Sequence, residues 1–486
     1  MAKKSITKNY IYNLAYQILI IILPIITTPY LSRVLGAENI GIYSYTLSIV
    51  TYFILFGSLG ISMYAQREIA YVQEDKYKSS KIFWEILILR FITLSISMVI
   101  YYFIYVNGTQ YQMYYRILLI EIIATCFDIS WYFQGMEDFK KTVFRNTLVK
   151  FVSIALIFLL VKKPEDLAKY FIIYVVSNFV GNISLWLYIP KFLDRIKIKE
   201  LQPLRHLRAT IGLFIPQIAI QIYTLLDKVM IGVIIDDKSE VGYYDQAQKI
   251  IKMLLTIVTS LGTVMIPRMA NTFANGDMKQ IKEYIKKSFR FVYIISIPMI
   301  FGIIAVSDKF VPVFFGNGYE KVSIIMKVIS PILLIIGVSN VIGSQYLLPT
   351  KRQKEFTISV TCGAITNFIV NSIIIRKLGA VGASIGTVIA ESIVTAIQIY
   401  FIRKDINLKE CINISKKYIM IGLIIFIAVT FIGLFIKNNF ISIIVQGFVG
   451  ASIYIIGLYI AKDEFFIQLL KTLNNKIKNK KDVTEF

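Results

Sequence analysis

The chain has 486 residues, 56% of them hydrophobic and only 17% charged, with 53 Lys and Arg against 30 Asp and Glu for a formal net charge of +23. A mean hydropathy of +0.65 excludes an ordinary water-soluble enzyme, in which about a quarter of the residues carry charge. Nucleic-acid binding, a common reading of so basic a chain, is excluded by position: most Lys and Arg fall in alternate loops between apolar runs, the pattern that sets membrane topology.

Apolar runs of roughly 20 residues, each long enough to cross a hydrocarbon core of about 30 Å, recur from end to end. In chain order they predict spans at residues 10–32, 41–64, 82–106, 115–134, 147–161 and 168–190, then 211–236, 242–265, 290–306, 322–347, 356–375, 380–402, 417–436 and 440–461. The fold class is therefore all-α: a polytopic membrane protein of about fourteen transmembrane helices. The fifth and ninth spans read as short. The first is longer than a signal-peptide core and lacks a small-residue cleavage site, so the N-terminus is expected to remain as a cytoplasmic end. With that end inside, roughly 36 Lys and Arg occupy inside loops and tails against about 9 outside, which puts both termini in the cytoplasm of a multi-pass plasma-membrane protein. The longest outside loop expected, residues 307–321, is too short to build an extracellular enzyme site.

An internal repeat refines the layout. Ser58-Leu59-Gly60-Ile61-Ser62-Met63 returns as Ser260-Leu261-Gly262-Thr263-Val264-Met265, about 202 residues later. Upstream, Glu38-Asn39-Ile40-Gly41-Ile42-Tyr43 corresponds to Ser239-Glu240-Val241-Gly242-Tyr243-Tyr244. Each copy begins the second helix of a six-helix block. An even helix number keeps two such blocks in one orientation, related by an axis along the membrane normal. The expected organisation is two parallel six-helix lobes, residues 1–190 and 211–402, joined by a basic cytoplasmic linker at 191–210 and followed by two C-terminal helices at 403–461 and a basic tail at 462–486. Transporters hold substrate in the cleft between such lobes.

Charges inside the spans point the same way. Glu85, Arg90, Glu121, Asp128, Lys150, Asp227, Lys228, Asp245, Lys249, Lys252, Lys327 and Glu391 all lie within apolar runs. Facing lipid near the midplane, at about 2.5–3.5 kcal/mol each, they would sum to roughly 30–40 kcal/mol. Arg90 and Lys150 are expected to snorkel to the cytoplasmic side, and the others to face protein or a wet cavity. Gln217, Gln221, Thr224 and Lys228 form one stripe on the seventh helix; Glu121, Thr125 and Asp128 do so on the fourth, and Thr387, Glu391, Thr395 and Gln398 on the twelfth. Asn13, Gln17 and Thr28 mark one side of the first, which Pro24 can kink. Such faces either line a shared aqueous interior or hydrogen-bond the helices to one another.

In the outer half, Arg33, Lys228, Lys249, Lys252 and Lys327 outnumber Asp227 and Asp245, and Asp245 and Lys249 are spaced to neutralise each other. A cationic interior suits an anionic passenger such as a diphosphate and repels a cationic drug. Cys126, Cys362 and Cys411 have neither disulfide nor metal spacing, and the single histidine, His206, reads as an exposed loop residue. No metal site or catalytic constellation is expected, and no Gly-rich phosphate loop for direct use of ATP.

Three segments carry a family likeness: Asp128-Ile129-Ser130-Trp131-Tyr132-Phe133-Gln134-Gly135-Met136-Glu137, the run 223–232 followed by Val241-Gly242-Tyr243-Tyr244, and Gly379-Ala380-Val381-Gly382-Ala383 through Glu391. Together they resemble the Wzx-type polysaccharide repeat-unit flippases of the multidrug/oligosaccharidyl-lipid/polysaccharide exporter superfamily. The resemblance implies a transporter rather than an enzyme, with fourteen helices, a cationic central cavity, and an undecaprenyl-diphosphate-linked oligosaccharide carried from the inner to the outer leaflet by alternating access. It places residues 128–135 at the end of the fourth helix, and Asp227 and Lys228 at the family's charged position on the seventh. On this basis Arg33, Gln217, Gln221, Thr224, Lys228, Lys249 and Lys252 are the expected diphosphate and sugar contacts, and Glu121, Asp128, Asp227 and Glu391 the candidates for ion or proton coupling. No cofactor is expected; an H+ or Na+ gradient or the membrane potential is the candidate driving force. Expected partners are the lipid-linked oligosaccharide, membrane lipids, and a polysaccharide polymerase with its chain-length machinery. The competing readings are a multidrug exporter of the same superfamily and an integral-membrane polymerase or glycosyltransferase. The polymer served, whether capsule, wall teichoic acid, O-antigen or exopolysaccharide, stays open.

Overall fold

The computed structural model describes residues 6–467, which are helical nearly throughout. The first helix, α1 (Ile6–Ser58), has 53 residues and would extend about 80 Å if straight, far more than one crossing needs. It breaks at Gly36, with φ 78 and ψ 169, a backbone that glycine alone adopts without strain. The chain stays helical through Pro24 and Pro29, and the break at Gly36 falls between the first two expected spans. α2 (Ile61–Tyr71), α3 (Lys76–Tyr101), α4 (Gln112–Cys126), α5 (Ser130–Gly135), α6 (Phe139–Leu160) and α7 (Leu167–Ser184) follow. Next come α8 (Leu207–Ile234), α9 (Ser239–Ala274), α10 (Met278–Phe314), α11 (Glu320–Ile329) and α12 (Ile332–Ser339). The last are α13 (Gln353–Ile402), α14 (Leu408–Phe435) and α15 (Asn439–Ile460). Like α1, α13 is two helices, broken at Gly379 with φ 56 and ψ −132. With both breaks counted, each expected span falls on helix, in the expected order.

The fifth and ninth spans are not short. α6 has 22 residues and α10 has 37. Their apolar runs understate them because the opening turns carry Lys140, Lys141 and Arg145 in one case and Lys279, Lys282, Lys286, Lys287 and Arg290 in the other. Nor is 307–321 a long loop: α10 runs on to Phe314, leaving a turn in which Gly316 and Gly318 have φ 95 and 84. Across that turn Lys327 Nζ and Ser323 Oγ each donate to Asp308 Oδ1 at 2.6 Å, which accounts for a lysine inside an apolar run. The internal repeat is also less regular than its sequence. Leu59 and Gly60 take φ 44 and 69 and end the first copy's helix, whereas residues 260–262 continue through α9.

The chain divides into two compact units. The first extends through Asp245 and takes in Asn371–Ala383; the second comprises Gln246–Val370 and the chain from Ser384 onward. In the first, Ile61, Tyr64, Phe83, Ile129, Trp131 and Phe133 form an aromatic-rich core. In the second, α10 and α14 pack around Phe289, Val292, Ile421 and Ile425. Exposed Met420, Ile427, Phe431 and Phe435 give α14 an apolar outer face, as a lipid-facing helix requires. Just beyond α15 the buried Asp463 accepts from Lys417 Nζ, from Tyr418 Oη at 2.7 Å and from Phe466 N at 3.0 Å. Burial pushes its carboxyl upward, but these bonds outweigh that and hold it below the ordinary range.

Candidate translocation site

The fourth crossing is discontinuous, because α4 stops at Cys126 and α5 starts at Ser130. Carbonyls freed by such a break have no water to turn to in hydrocarbon and must find protein donors. Four side chains place donors on carbonyls around the break, Arg90 from α3, Trp131 from α5, Asn182 from α7 and Trp186 from the turn after α7. Asn182 Nδ2 donates to Ala124 O at 2.7 Å, Arg90 Nε to Thr125 O at 2.9 Å, Trp186 Nε1 to Phe127 O at 2.9 Å and Trp131 Nε1 to Asp128 O at 3.0 Å. Asp128 Oδ1 accepts from Ser130 N at 3.0 Å, capping α5. Arg90 also donates to Ser62 Oγ at 3.0 Å and lies 3.8 Å from Asp128 Oδ2. The sequence led us to expect Arg90 to snorkel to the cytoplasmic side, but at 2% exposure it does not; the break gives its guanidinium acceptors within the protein.

Two intramembrane carboxylates of this unit, Glu121 and Glu85, are likewise matched. Asn178 Nδ2 donates to both oxygens of the half-buried Glu121, at 3.0 and 3.1 Å. Glu85 is fully buried, and accepts from Gln202 N at 2.9 Å and from Arg205 at 2.5 Å. His206 is not an exposed loop residue: it is 4% exposed, with Nε2 2.9 Å from Glu85 and Nδ1 2.8 Å from Tyr64 Oη. The basic linker is therefore seated on α2 and α3.

At the end of α8, Lys228 pairs with Asp245, seventeen residues on, rather than standing alone. The neighbouring Asp227, 3% exposed, accepts from Tyr244 Oη and from Asn371 Nδ2 at 2.6 Å. This cluster joins α8, α9 and the first half of α13. Within it the Lys228 ammonium is paired with the buried Asp245 carboxylate. Nearby, the turns meet closely. A Cβ on Gly41 would overlap Lys238 O and lie 3.1 Å from Gly242 N, and one on Gly242 would overlap Ala37 O. The equivalent glycines of the two repeat copies thus abut each other. Glu240 Oε2 accepts from Ala380 N at 2.8 Å, capping the helix that follows Gly379. The buried Lys238 donates to the carbonyls of Gly232 and Ile235 at 2.7 and 2.9 Å, and burial pushes its ammonium below its ordinary value despite Asp236 and Asp237.

Arg33 is exposed, with a guanidinium nitrogen 3.5 Å from Pro29 O. Gln217, Gln221 and Thr224 lie on α8, but their side chains fall outside the described residues, as do those of Asn13 and Gln17. Lys249, Lys252 and Glu391 belong to the second unit, where Lys249 Nζ is 3.4 Å from Gln246 Oε1, Lys252 is exposed and Glu391 half-buried. Two members of the twelfth-helix stripe act as interhelical fasteners: Thr395 Oγ1 donates to Ile335 O at 3.2 Å and Gln398 Nε2 to Ser359 Oγ at 3.2 Å. Asn178, Asn182, Trp186 and Asn371 were not singled out from the sequence, and Tyr244 only within the repeat and family segments, although each is a polar or indole group within or beside an apolar run.

A family model described as polysaccharide biosynthesis protein matches residues 6–273, more than half of the chain. The chain belongs to that family. A second model, MatE, matches residues 213–373. A candidate O-antigen transporter of Escherichia coli (strain K12) is 25% identical over 408 residues, which covers 83% of this chain and 98% of that protein. The solved structure of the lipid II flippase MurJ in an inward closed conformation has a TM-score of 0.76 at 17% identity, over 95% of this chain and 100% of the other. An inward-facing multidrug resistance MATE family transporter of the MOP superfamily gives 0.63 at 12% identity, over 81% and 96%. At such identities the likeness to the two structures is one of fold. The Wzx-type resemblance drawn from residues 128–137, 223–244 and 379–391 holds, and with it the assignment to the polysaccharide biosynthesis branch of the exporter superfamily. Within that family, the residues of the 128–137 segment act here as the caps of a broken helix.

Proposed function

We propose that this chain translocates an undecaprenyl-diphosphate-linked oligosaccharide from the inner to the outer leaflet of a bacterial plasma membrane by alternating access, with both termini in the cytoplasm. The match to the polysaccharide biosynthesis family over residues 6–273 carries this reading; the O-antigen transport named for the Escherichia coli relative supports it. Partition explains the division of labour. Each buried CH2 of the isoprenoid is worth about 0.8 kcal/mol, so the tail stays in lipid while the protein shelters the charged head.

In this reading the Lys228–Asp245 pair holds its lysine neutralised until a diphosphate displaces the carboxylate, with Arg33, Lys249, Lys252, Gln217, Gln221 and Thr224 as further head-group contacts. Glu121, Asp128, Asp227 and Glu391 are the carboxylates available for coupling to H+, Na+ or the membrane potential. A polymerase and chain-length machinery would consume the product outside and so drive net transport.

Lys228 can be tested separately from the fold. Lys228→Met removes the ammonium paired with the buried Asp245 and is expected to cost about 3–5 kcal/mol, whereas adding Asp245→Asn should recover most of that loss. The double variant, folded by thermal melting, should still flip lipid-linked oligosaccharide more slowly than wild type. A wild-type rate in that double variant removes Lys228 from the diphosphate site.

A further inference from the structure

At one end of the first unit, the last turns of α2 and the segment after α5 border a cleft of about 590 Å3. That is within the roughly 300–1,000 Å3 of small-ligand sites. Gln66 and Arg67 face it from α2, Gln134 and Glu137 from the other side, and Met63 and Phe139 supply apolar surface. Glu137 holds φ 53 at the C-terminus of α5. Its N–H bonds to Gln134 O at 3.0 Å and that of Asp138 to Phe133 O at 2.7 Å, closing a Schellman-type turn in which glycine is the usual residue. Gly135 has no such latitude: a Cβ would come within 2.7 Å of Gln66 O, so the two walls approach this closely only with glycine. Arg67 is oriented by Glu68 at 3.1 Å and lies over the Tyr64 ring at 5.5 Å.

We infer that this cleft is a saccharide-binding site, which on the flippase reading first receives the oligosaccharide head at the cytoplasmic face. Two carboxamides, a carboxylate and a guanidinium offer paired donors and acceptors to vicinal hydroxyls, and Met63 and Phe139 can cover the C–H face of a sugar ring. The charge balance favours sugar over diphosphate. The one guanidinium lining the cleft is paired with Glu68 at 3.1 Å, and Glu137 lines the same cleft, an environment that does not attract a dianion. Both walls lie at the ends of crossings that the Lys and Arg census assigns to the inside.

The test uses the full chain in nanodiscs with Ala70→Cys, a cleft-lining exposed position, and follows alkylation at position 70 by mass spectrometry of its peptide. The probe is the lipid-linked oligosaccharide extracted from cells that lack this chain; undecaprenyl diphosphate is the sugar-free comparator. The oligosaccharide is expected to slow alkylation about tenfold at roughly ten times its dissociation constant, and the comparator to have no effect. Gln66→Ala with Gln134→Ala should abolish protection. Glu137→Gly, which relieves the left-handed backbone, should melt at or above wild type and still lose protection. Equal protection by the comparator, or undiminished protection in the variants, overturns the saccharide site. Flipping by the same preparations reports on the transport reading independently: protein that flips but shows no protection sinks the cleft alone, and protein that is protected but does not flip upholds the cleft and sinks transport.

Discussion

Arg90→Leu is expected to destabilise the protein by about 3–5 kcal/mol, because it removes one partner of a buried ionic contact and leaves the other behind. The guanidinium satisfies Thr125 O, Ser62 Oγ and, at 3.8 Å, Asp128 in an environment only 2% exposed. Lysine cannot replace it, since its three donors radiate from one atom and cannot copy the planar fork. Trp186→Phe deletes the donor to Phe127 O and part of the indole's packing on Phe83 and Phe127 but strands no charge, and should cost less, about 1–3 kcal/mol. Arg90→Leu combined with Asp128→Asn should be less damaged than Arg90→Leu alone, since no unpaired charge remains. Thermal melting in detergent reads all of these. If Arg90→Leu melts with wild type, the capped break is not what holds the fourth crossing in place.

Gly41→Ala and Gly242→Ala should each be destabilising by about 1–3 kcal/mol or more, the usual penalty of overpacking, because here the obstacle is backbone that cannot rotate away. The added methyl of one meets Lys238 O, that of the other Ala37 O, and the two glycines touch each other. Since both substitutions strain one contact, the double variant should lose clearly less than the sum of the singles. Gly447→Ala is the control: a Cβ there meets nothing within 4 Å, in the middle of α15, and should be neutral or stabilising by up to about 1 kcal/mol. Strict additivity for Gly41 and Gly242 would mean that the equivalent glycines of the repeat do not form a shared contact.

The spans were legible because burial in lipid demands long apolar runs, and composition alone reveals those. The partnerships were not. Nothing in helical spacing put Lys228, on another helix, opposite Asp245; periodicity reports which residues share a face, but not which face lies opposite. Arg90 read as a snorkelling residue for the same reason, since the break that feeds it acceptors arises from residues 127–129, which look like uninterrupted helix in sequence. His206 lies in a polar, basic stretch, and nothing local betrays that Glu85 and Tyr64 close around it. The expected spans left gaps around Gly36 and Gly379, but that the chain turns there on a single glycine within otherwise continuous helix shows only in the backbone angles. The motif at residues 128–137 was recognisable as a family feature, but its physical task, satisfying carbonyls in hydrocarbon, required the positions of Asn182 and Trp186.

The central claim is that this chain moves a lipid-linked sugar head across a bilayer. Its most direct measurement is head-group accessibility in vesicles: labelled undecaprenyl-diphosphate oligosaccharide placed in the inner leaflet, with purified protein present or absent, and an impermeant sugar-modifying enzyme added outside. The account predicts rapid modification of the inner-leaflet pool only when the protein is present. Modification confined to the original outer-leaflet pool, with correctly folded protein in the membrane, would contradict it.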